Sequence, residues 1–205
     1  MIIKSLIISS ILLIITGCSS ETKTVTPVVH ETTDMKELSR SAYNFCKANS
    51  LNTKFYFLID LKRHSGHKRF YVWDFDKDTL TEKYMVSHGC GNYPWRCDFT
   101  KTEALISNTE NSHCSSTGKY LVEERGGSVF GIGVKYNLTG LDKTNNKARK
   151  RAIVLHSWEK VTDEEVYPEG TAEGWGCPAV SNNSMKQLDK LLKTTKENTL
   201  MWVIN

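Results

Sequence analysis

Two runs of aromatic and β-branched residues, TKFYFLIDL at 53–61 and KRFYVWDF at 68–75, flank the short polar stretch KRHSGH, and no other feature limits the fold as strongly. Such side chains suit pleated, packed strands, and Ser65 with Gly66 supplies the turn between them. The pattern predicts a β-hairpin whose Phe55, Phe57, Tyr71 and Trp73 are core residues, with Trp202 joining them from the C-terminal run. Further strands are expected at 79–87, 119–124, 130–136 and 151–156, and TLMWVIN closes the chain as another. Asp34 is placed to cap a helix carrying Met35, Leu38, Ala42, Phe45 and Cys46 near helical spacing. A second helix over 182–195 puts Met185, Leu188, Leu191 and Leu192 on one face. The expected fold is mainly β with flanking helices.

With 205 residues, 39% of them hydrophobic and 24% charged, the chain suits one globular domain beside its leader. Its 27 basic and 23 acidic residues are dispersed along the sequence, and a basic stripe for nucleic acid is not expected. The net charge of +4 is compatible with weak attraction to an anionic surface or polymer.

The first residues, MIIKSLIISSILLIITGC, pair an early lysine with an apolar run too short to span a bilayer, which is the pattern of a secretory signal. ITGC resembles the lipobox of bacterial lipoproteins, in which the cysteine is lipidated and becomes the mature N-terminus. The expected organisation is a signal peptide at 1–17, a lipidated Cys18 with a polar, flexible tether to residue 33, and one folded domain over 34–205. Ser19 follows where an acidic residue would favour retention at the inner membrane. The expectation is therefore an envelope lipoprotein facing the periplasm, on the outer membrane in preference to the inner.

Setting Cys18 aside leaves Cys46, Cys90, Cys97, Cys114 and Cys177, an odd number in a compartment where cysteines tend to pair, so one free thiol is expected. Cys90 and Cys97 share a loop suited to a local bridge. The pairing of Cys46, Cys90, Cys97 and Cys114 stays open among three possibilities. Cys177 differs by context: in EGWGCPAVS, Gly174 and Gly176 clear the backbone of bulk, so that N–H groups can turn toward an oxyanion. Pro178 fixes the chain beyond it, and a helix begins a few residues later, whose dipole would favour a thiolate. Such a thiol still needs a base. Of the six histidines only His156 ends an apolar strand, RAIVLH, which would hold its ring at a sheet edge beside a cleft.

RAIVLHSW followed by GWGCPAVS, with MVSHGCGN and NSHCSSTGKYLV upstream, resembles the YkuD-type L,D-transpeptidases, closest to the branch called murein L,D-transpeptidase catalytic-domain-like proteins. The resemblance covers residues 52–205. It implies a β-sandwich catalytic domain with Cys177 as nucleophile, His156 as base, the Ser157 carbonyl orienting the imidazole, and the Gly176 and Cys177 N–H groups as oxyanion donors. His88, Ser116, Gly118 and Trp175 become substrate-lining positions, and Trp158, directly after the His156 strand, is placed by its position to wall the cleft. The implied chemistry is acyl transfer on peptidoglycan peptide stems through a thioester, with no metal or cofactor. If water resolves the thioester, the same site is an L,D-carboxypeptidase. Two departures stand out: GWGC replaces the usual SHGC, and an arginine common after the cysteine is missing, leaving Arg125, Arg149 or Arg151 to substitute for it.

Three other readings compete. NlpC-type and papain-like hydrolases also use Cys and His, but in the opposite chain order. A zinc module could be drawn from His88, Cys90, Cys97, His113 and Cys114, although their spacing matches no common zinc pattern. A catalytically silent envelope-binding lipoprotein would be marked by loss of Cys177 or His156, and both are present.

Overall fold

The structure is a computed structural model that describes residues 29–205. The expectations for the leader, for Cys18 and for the tether up to residue 28 lie outside the described residues. Helix α1 (Val29–Ala48) leads into eight strands: β1 (Phe55–Asp60), β2 (Phe70–Asp74), β3 (Thr79–Tyr84), β4 (Gly118–Gly127), β5 (Val134–Gly140), β6 (Val154–Ser157), β7 (Ala179–Val180) and, after helix α2 (Asn182–Leu192), β8 (Thr199–Ile204). The backbone of α1 thus begins upstream of the cap expected at Asp34. No described helix is long and apolar enough to cross a membrane.

The mainly β expectation holds, and the strands join in one sheet of order β3-β2-β1-β8-β4-β5-β6-β7. The predicted hairpin forms, β1 pairing antiparallel with β2 from Phe55 opposite Asp74 to Ile59 opposite Phe70. The C-terminal strand β8 inserts between β1, in parallel, and β4, in antiparallel. The uninterrupted apolar run of β1 follows from this placement. Phe55, Phe57 and Ile59 enter the main core, and Tyr56 and Leu58 enter a second core on the opposite face. A strand covered on both faces has no reason to alternate with polar residues.

Each helix seals one of these cores. Ala42 and Cys46 of α1 are buried against Tyr56, Leu58 and Leu200. Met185, Leu188 and Leu192 of α2 are buried in the main core, at the spacing read from the sequence. The cap of α2 is Ser181, whose Oγ accepts from the Ser184 N–H at 3.0 Å. Its last turn closes at Leu192, short of the expected 195.

Two strands start later than predicted. Residues 130–133 form a turn instead, with Gly131 and Gly133 at φ +56° and +73° and the Gly133 N–H bonded to the Phe130 carbonyl. Residues 151–153 are likewise bent, Ala152 standing at φ +54° while the Ile153 N–H returns to the Ala148 carbonyl at 2.9 Å. The short β7 was not anticipated, and it is the element that joins the nucleophile candidate to the base candidate.

Candidate active site

Strand β6 pairs in parallel with β7, setting His156 opposite Ala179 and Ser157 opposite Val180. Since β7 begins two residues after Cys177, this register brings the Cys177 loop alongside His156. The His156 ring is buried and packs against Phe130, ring centroids 5.3 Å apart. Its Nδ1 lies 2.9 Å from the Ser157 carbonyl oxygen. A carbonyl can only accept, so Nδ1 carries the proton and Nε2 is left as the basic nitrogen. Burial lowers the His156 pKa, against the opposing effects of the Ser157 carbonyl and Glu159, so the imidazole rests neutral at neutral pH. Ser157 is held in turn, its Oγ accepting from the Ile132 N–H at 2.9 Å.

The Cys177 sulfur is half-buried at the edge of the main core. It accepts from the Val154 N–H at 3.5 Å and faces the carbonyl of the strained Ala152 at 3.8 Å. Burial pushes its pKa upward, partly offset by the Val154 N–H and by the charges of Arg151 and Lys135. The resting group is a thiol that needs a base. Help from the helix dipole, expected from sequence, is not what the structure offers. Pro178 and β7 separate Cys177 from α2, and Asp163 already occupies the α2 N-terminus through Ser181 Oγ and Asn183 Nδ2. Gly176 stands at φ +97°, with the Cys114 carbonyl where a Cβ would lie.

Of the three candidate arginines, Arg125 pairs with Asp189 at 2.7 Å and Arg149 with Glu123 and Glu124. Arg151 differs, because neutral oxygens hold it: Ser107 and Cys114 carbonyls at 3.0 and 2.5 Å and Ser116 Oγ at 3.2 Å. Its guanidinium is 3.3 Å from the point where a Gly176 Cβ would lie. No carboxylate among the described residues neutralises it. Ser116 is therefore a buried support for Arg151, its Oγ also bonded to the Tyr120 hydroxyl at 2.7 Å. Gly118 opens β4 where the side chains of Asp142, Thr144 and Asn145 close over its Cα, leaving no room for a Cβ.

His88, expected to line the site, is withdrawn from the surface. It is fully buried within an oriented chain of hydrogen bonds. Arg69 can only donate, so its contact to His88 Nδ1 at 2.7 Å places the ring proton on Nε2. Nε2–H then donates to Thr100 Oγ1 at 2.8 Å, and Thr100 donates its hydroxyl and N–H to Glu173 Oε1 at 2.8 and 2.5 Å. Burial and the Arg69 charge push the His88 pKa down to about 3, and burial lowers that of Arg69 to about 10. The main chain of Glu173 continues the network, its N–H donating to the Cys97 carbonyl and its carbonyl accepting from Arg96. The Cys177 loop is thus tethered four residues ahead of the thiol. Sequence reasoning missed Arg69, Thr100 and Glu173. An arginine at the start of an apolar strand was the available signal for a buried charge in need of partners.

Trp158 is also buried, stacked parallel on Trp95 at 5.7 Å, so it backs the site instead of walling it. Trp175 is 59% exposed. All five described cysteines are free, so neither the Cys90–Cys97 bridge nor any other expected pairing is present. The ring nitrogens of His88 are committed to Arg69 and Thr100, and the His113 ring stacks on Trp175 at 5.0 Å. Among the described residues no three or more potential ligands converge as a metal site.

A family described as the L,D-transpeptidase catalytic domain matches residues 29–203. Among solved structures, the chain is similar to an L,D-transpeptidase (residues 123–326) from Xylanimonas cellulosilytica, at 13% identity and TM-score 0.40 over 73% of this chain and 60% of that one. It is similar to the helical cell shape determining protein Pgp2 from Campylobacter jejuni at 12% identity and TM-score 0.44, covering 82% and 54%. For an L,D-transpeptidase from Mycobacterium smegmatis the values are 13%, 0.43, 74% and 59%. The chain therefore spans about half to three-fifths of these structures. No curated protein matches it in sequence.

Proposed function

The chain belongs to the L,D-transpeptidase catalytic-domain family, and from that membership we propose that it processes peptidoglycan by cysteine acyl transfer on the peptide stems. The observation that carries this reading is His156, whose Nδ1–H is taken by the Ser157 carbonyl so that a neutral Nε2 is available beside the Cys177 loop. In the proposed reaction Nε2 takes the Cys177 proton and the sulfur attacks the carbonyl at the L-centre of the stem diamino acid. The C–N bond to the terminal D-alanine breaks, and the imidazolium returns its proton to the leaving amine. An amine from a second stem then attacks the thioester, loses its proton to His156 and regenerates the thiol. The N–H groups of Gly176 and Cys177 are the proposed oxyanion donors, supported by the left-handed backbone at Gly176. Arg151 is the proposed partner of the substrate carboxylate, supported by its being held by neutral oxygens with no carboxylate ion pair among the described residues.

Incubating the purified full chain with disaccharide tetrapeptides and reading products by mass tests this. Cross-linked dimers that disappear in Cys177→Ala and His156→Ala are the expected result. Loss of D-alanine without dimers assigns a carboxypeptidase instead, and no product from any stem refutes both. A carbapenem should add its mass to Cys177. The leader pattern and Cys18 support lipid anchoring at the envelope, and Cys18→Ala should move the protein out of the membrane fraction.

A further inference from the structure

Four aromatic rings run in contact past the Cys177 loop. Trp158, buried directly after the His156–Ser157 pair, stacks on Trp95 with only 5° between the planes. Trp95 meets Trp175 at 5.6 Å, and Trp175 stacks on His113 at 5.0 Å and 19°. In the same loop as Trp95, Tyr93 and Phe99 stack on each other at 5.6 Å. Burial does not account for the outer rings. Trp175, Tyr93 and Phe99 are 59%, 50% and 63% exposed, and large exposed apolar rings held together mark a binding surface more often than a fold requirement.

The shelf is also fixed in place. Arg96 and His113 both hold left-handed backbones, at φ +72° and +54°, a strain that non-glycine residues sustain only where the surroundings impose it. The Arg96 N–H is anchored to the Glu173 carbonyl at 3.0 Å, and its guanidinium lies 3.9 Å over the Trp95 ring. Trp175 precedes the nucleophile by two residues, so their Cα atoms are within about 7 Å.

We infer that the exposed Trp175 ring, backed by Trp95 and His113 and with the Tyr93–Phe99 pair in the neighbouring loop, is a saccharide-binding subsite that seats the N-acetylated amino-sugar chain from which the stem hangs. The proposal rests on the reading of Cys177 as a stem acyltransferase. The chemistry is that of a pyranose ring: its flat C–H face is electropositive and meets the negative face of an aromatic ring, while Arg96 and His113 offer donors to hydroxyl and acetamido oxygens at the rim. A substrate held at both its sugar and its peptide is positioned before the thiol attacks, which is where binding contributes to rate.

The test is titration of the full chain with the β-1,4-linked tetramer of N-acetylglucosamine, which carries no peptide, followed by tryptophan fluorescence. A saturable response is expected. Trp175→Ala should weaken it roughly tenfold and Trp175→Tyr should largely restore it, as loss and recovery of one stacking ring imply. In turnover, wild type should favour disaccharide-linked stems over free tetrapeptide by roughly tenfold, and that preference should collapse in Trp175→Ala. No saturable response in wild type, or equal affinity in Trp175→Ala, overturns the subsite. If a carbapenem still acylates Cys177 in that case, the acyltransfer reading survives. Saccharide binding without product from any stem has the opposite meaning, keeping the shelf and removing the reaction.

Discussion

Replacing Thr100 by valine preserves the outline of a buried side chain and removes one oxygen. That oxygen accepts from His88 Nε2 and donates to Glu173 Oε1, both at 2.8 Å, so it is the link that joins the Arg69–His88 half of the buried chain to the Cys177 loop. A hydrogen bond contributes about 0.5–1.5 kcal/mol, and a buried donor left without a partner costs about 1–3 kcal/mol. Glu173 keeps the Thr100 N–H at 2.5 Å, which tempers the loss, and the expected destabilisation is about 2–4 kcal/mol. Equilibrium urea unfolding at pH 7.5 measures it. Thr100→Ser, which keeps the oxygen and loses a methyl group, should remain within about 1 kcal/mol of wild type. Because Glu173 tethers the Cys177 loop, carbapenem acylation of Cys177, the proposed nucleophile, should also slow by roughly tenfold in Thr100→Val. A loss below about 0.5 kcal/mol would show that Oγ1 is not the link and that the two halves stand independently.

Gly176→Ala should cost at least about 1–2 kcal/mol from its φ of +97° alone, and more from the Cys114 carbonyl in the way. Its melting temperature should fall and acylation of Cys177 should nearly stop; an unshifted melting temperature refutes the assigned backbone. The opposite sign is expected at Ala152, where glycine relieves a φ of +54° and should raise stability by up to about 1 kcal/mol, checked by thermal unfolding. Acid titration should expose His88. Its folded pKa of about 3 is below the unfolded value near 6.5, so the unfolded chain takes up a proton first and stability drains away as pH falls through that window. This group contributes a slope of about 1.4 kcal/mol per pH unit, and His156, also lowered, acts in the same direction. In nitrogen-15 spectra His88 should stay neutral and protonated on Nε2 at pH 5; an imidazolium signal there contradicts the buried chain.

The hairpin of β1 and β2 and the buried face of α2 were legible because each is encoded locally, in side-chain type and spacing. Strand β5 was misplaced by four residues for an equally local reason. The glycines at 131 and 133 form a turn, and the apolar residues around them look like strand when the left-handed positions are overlooked. Strand β7 is too short for any periodicity. The roles expected for His88 and Gly118 came from motif position and that of Trp158 from its place after the His156 strand, which indicate proximity in the chain but not which side of a loop or strand a residue occupies. The cysteine count suggested bridges, yet pairing depends on Cβ geometry set by segments distant in the chain.

By itself the sequence determined the mainly β class, the hairpin, the C-terminal helix and the motifs that name Cys177 and His156. These follow from local preference and from short patterns whose chemistry needs those residue types. Only the tertiary structure decided which of the three candidate arginines has no carboxylate partner among the described residues, how Arg69, His88, Thr100 and Glu173 assemble, and that aromatic residues from three separate segments come together. Those outcomes depend on strand order and register, above all on β6 meeting β7 in parallel, and a buried charge or an exposed ring has no partner until those long-range pairings are made.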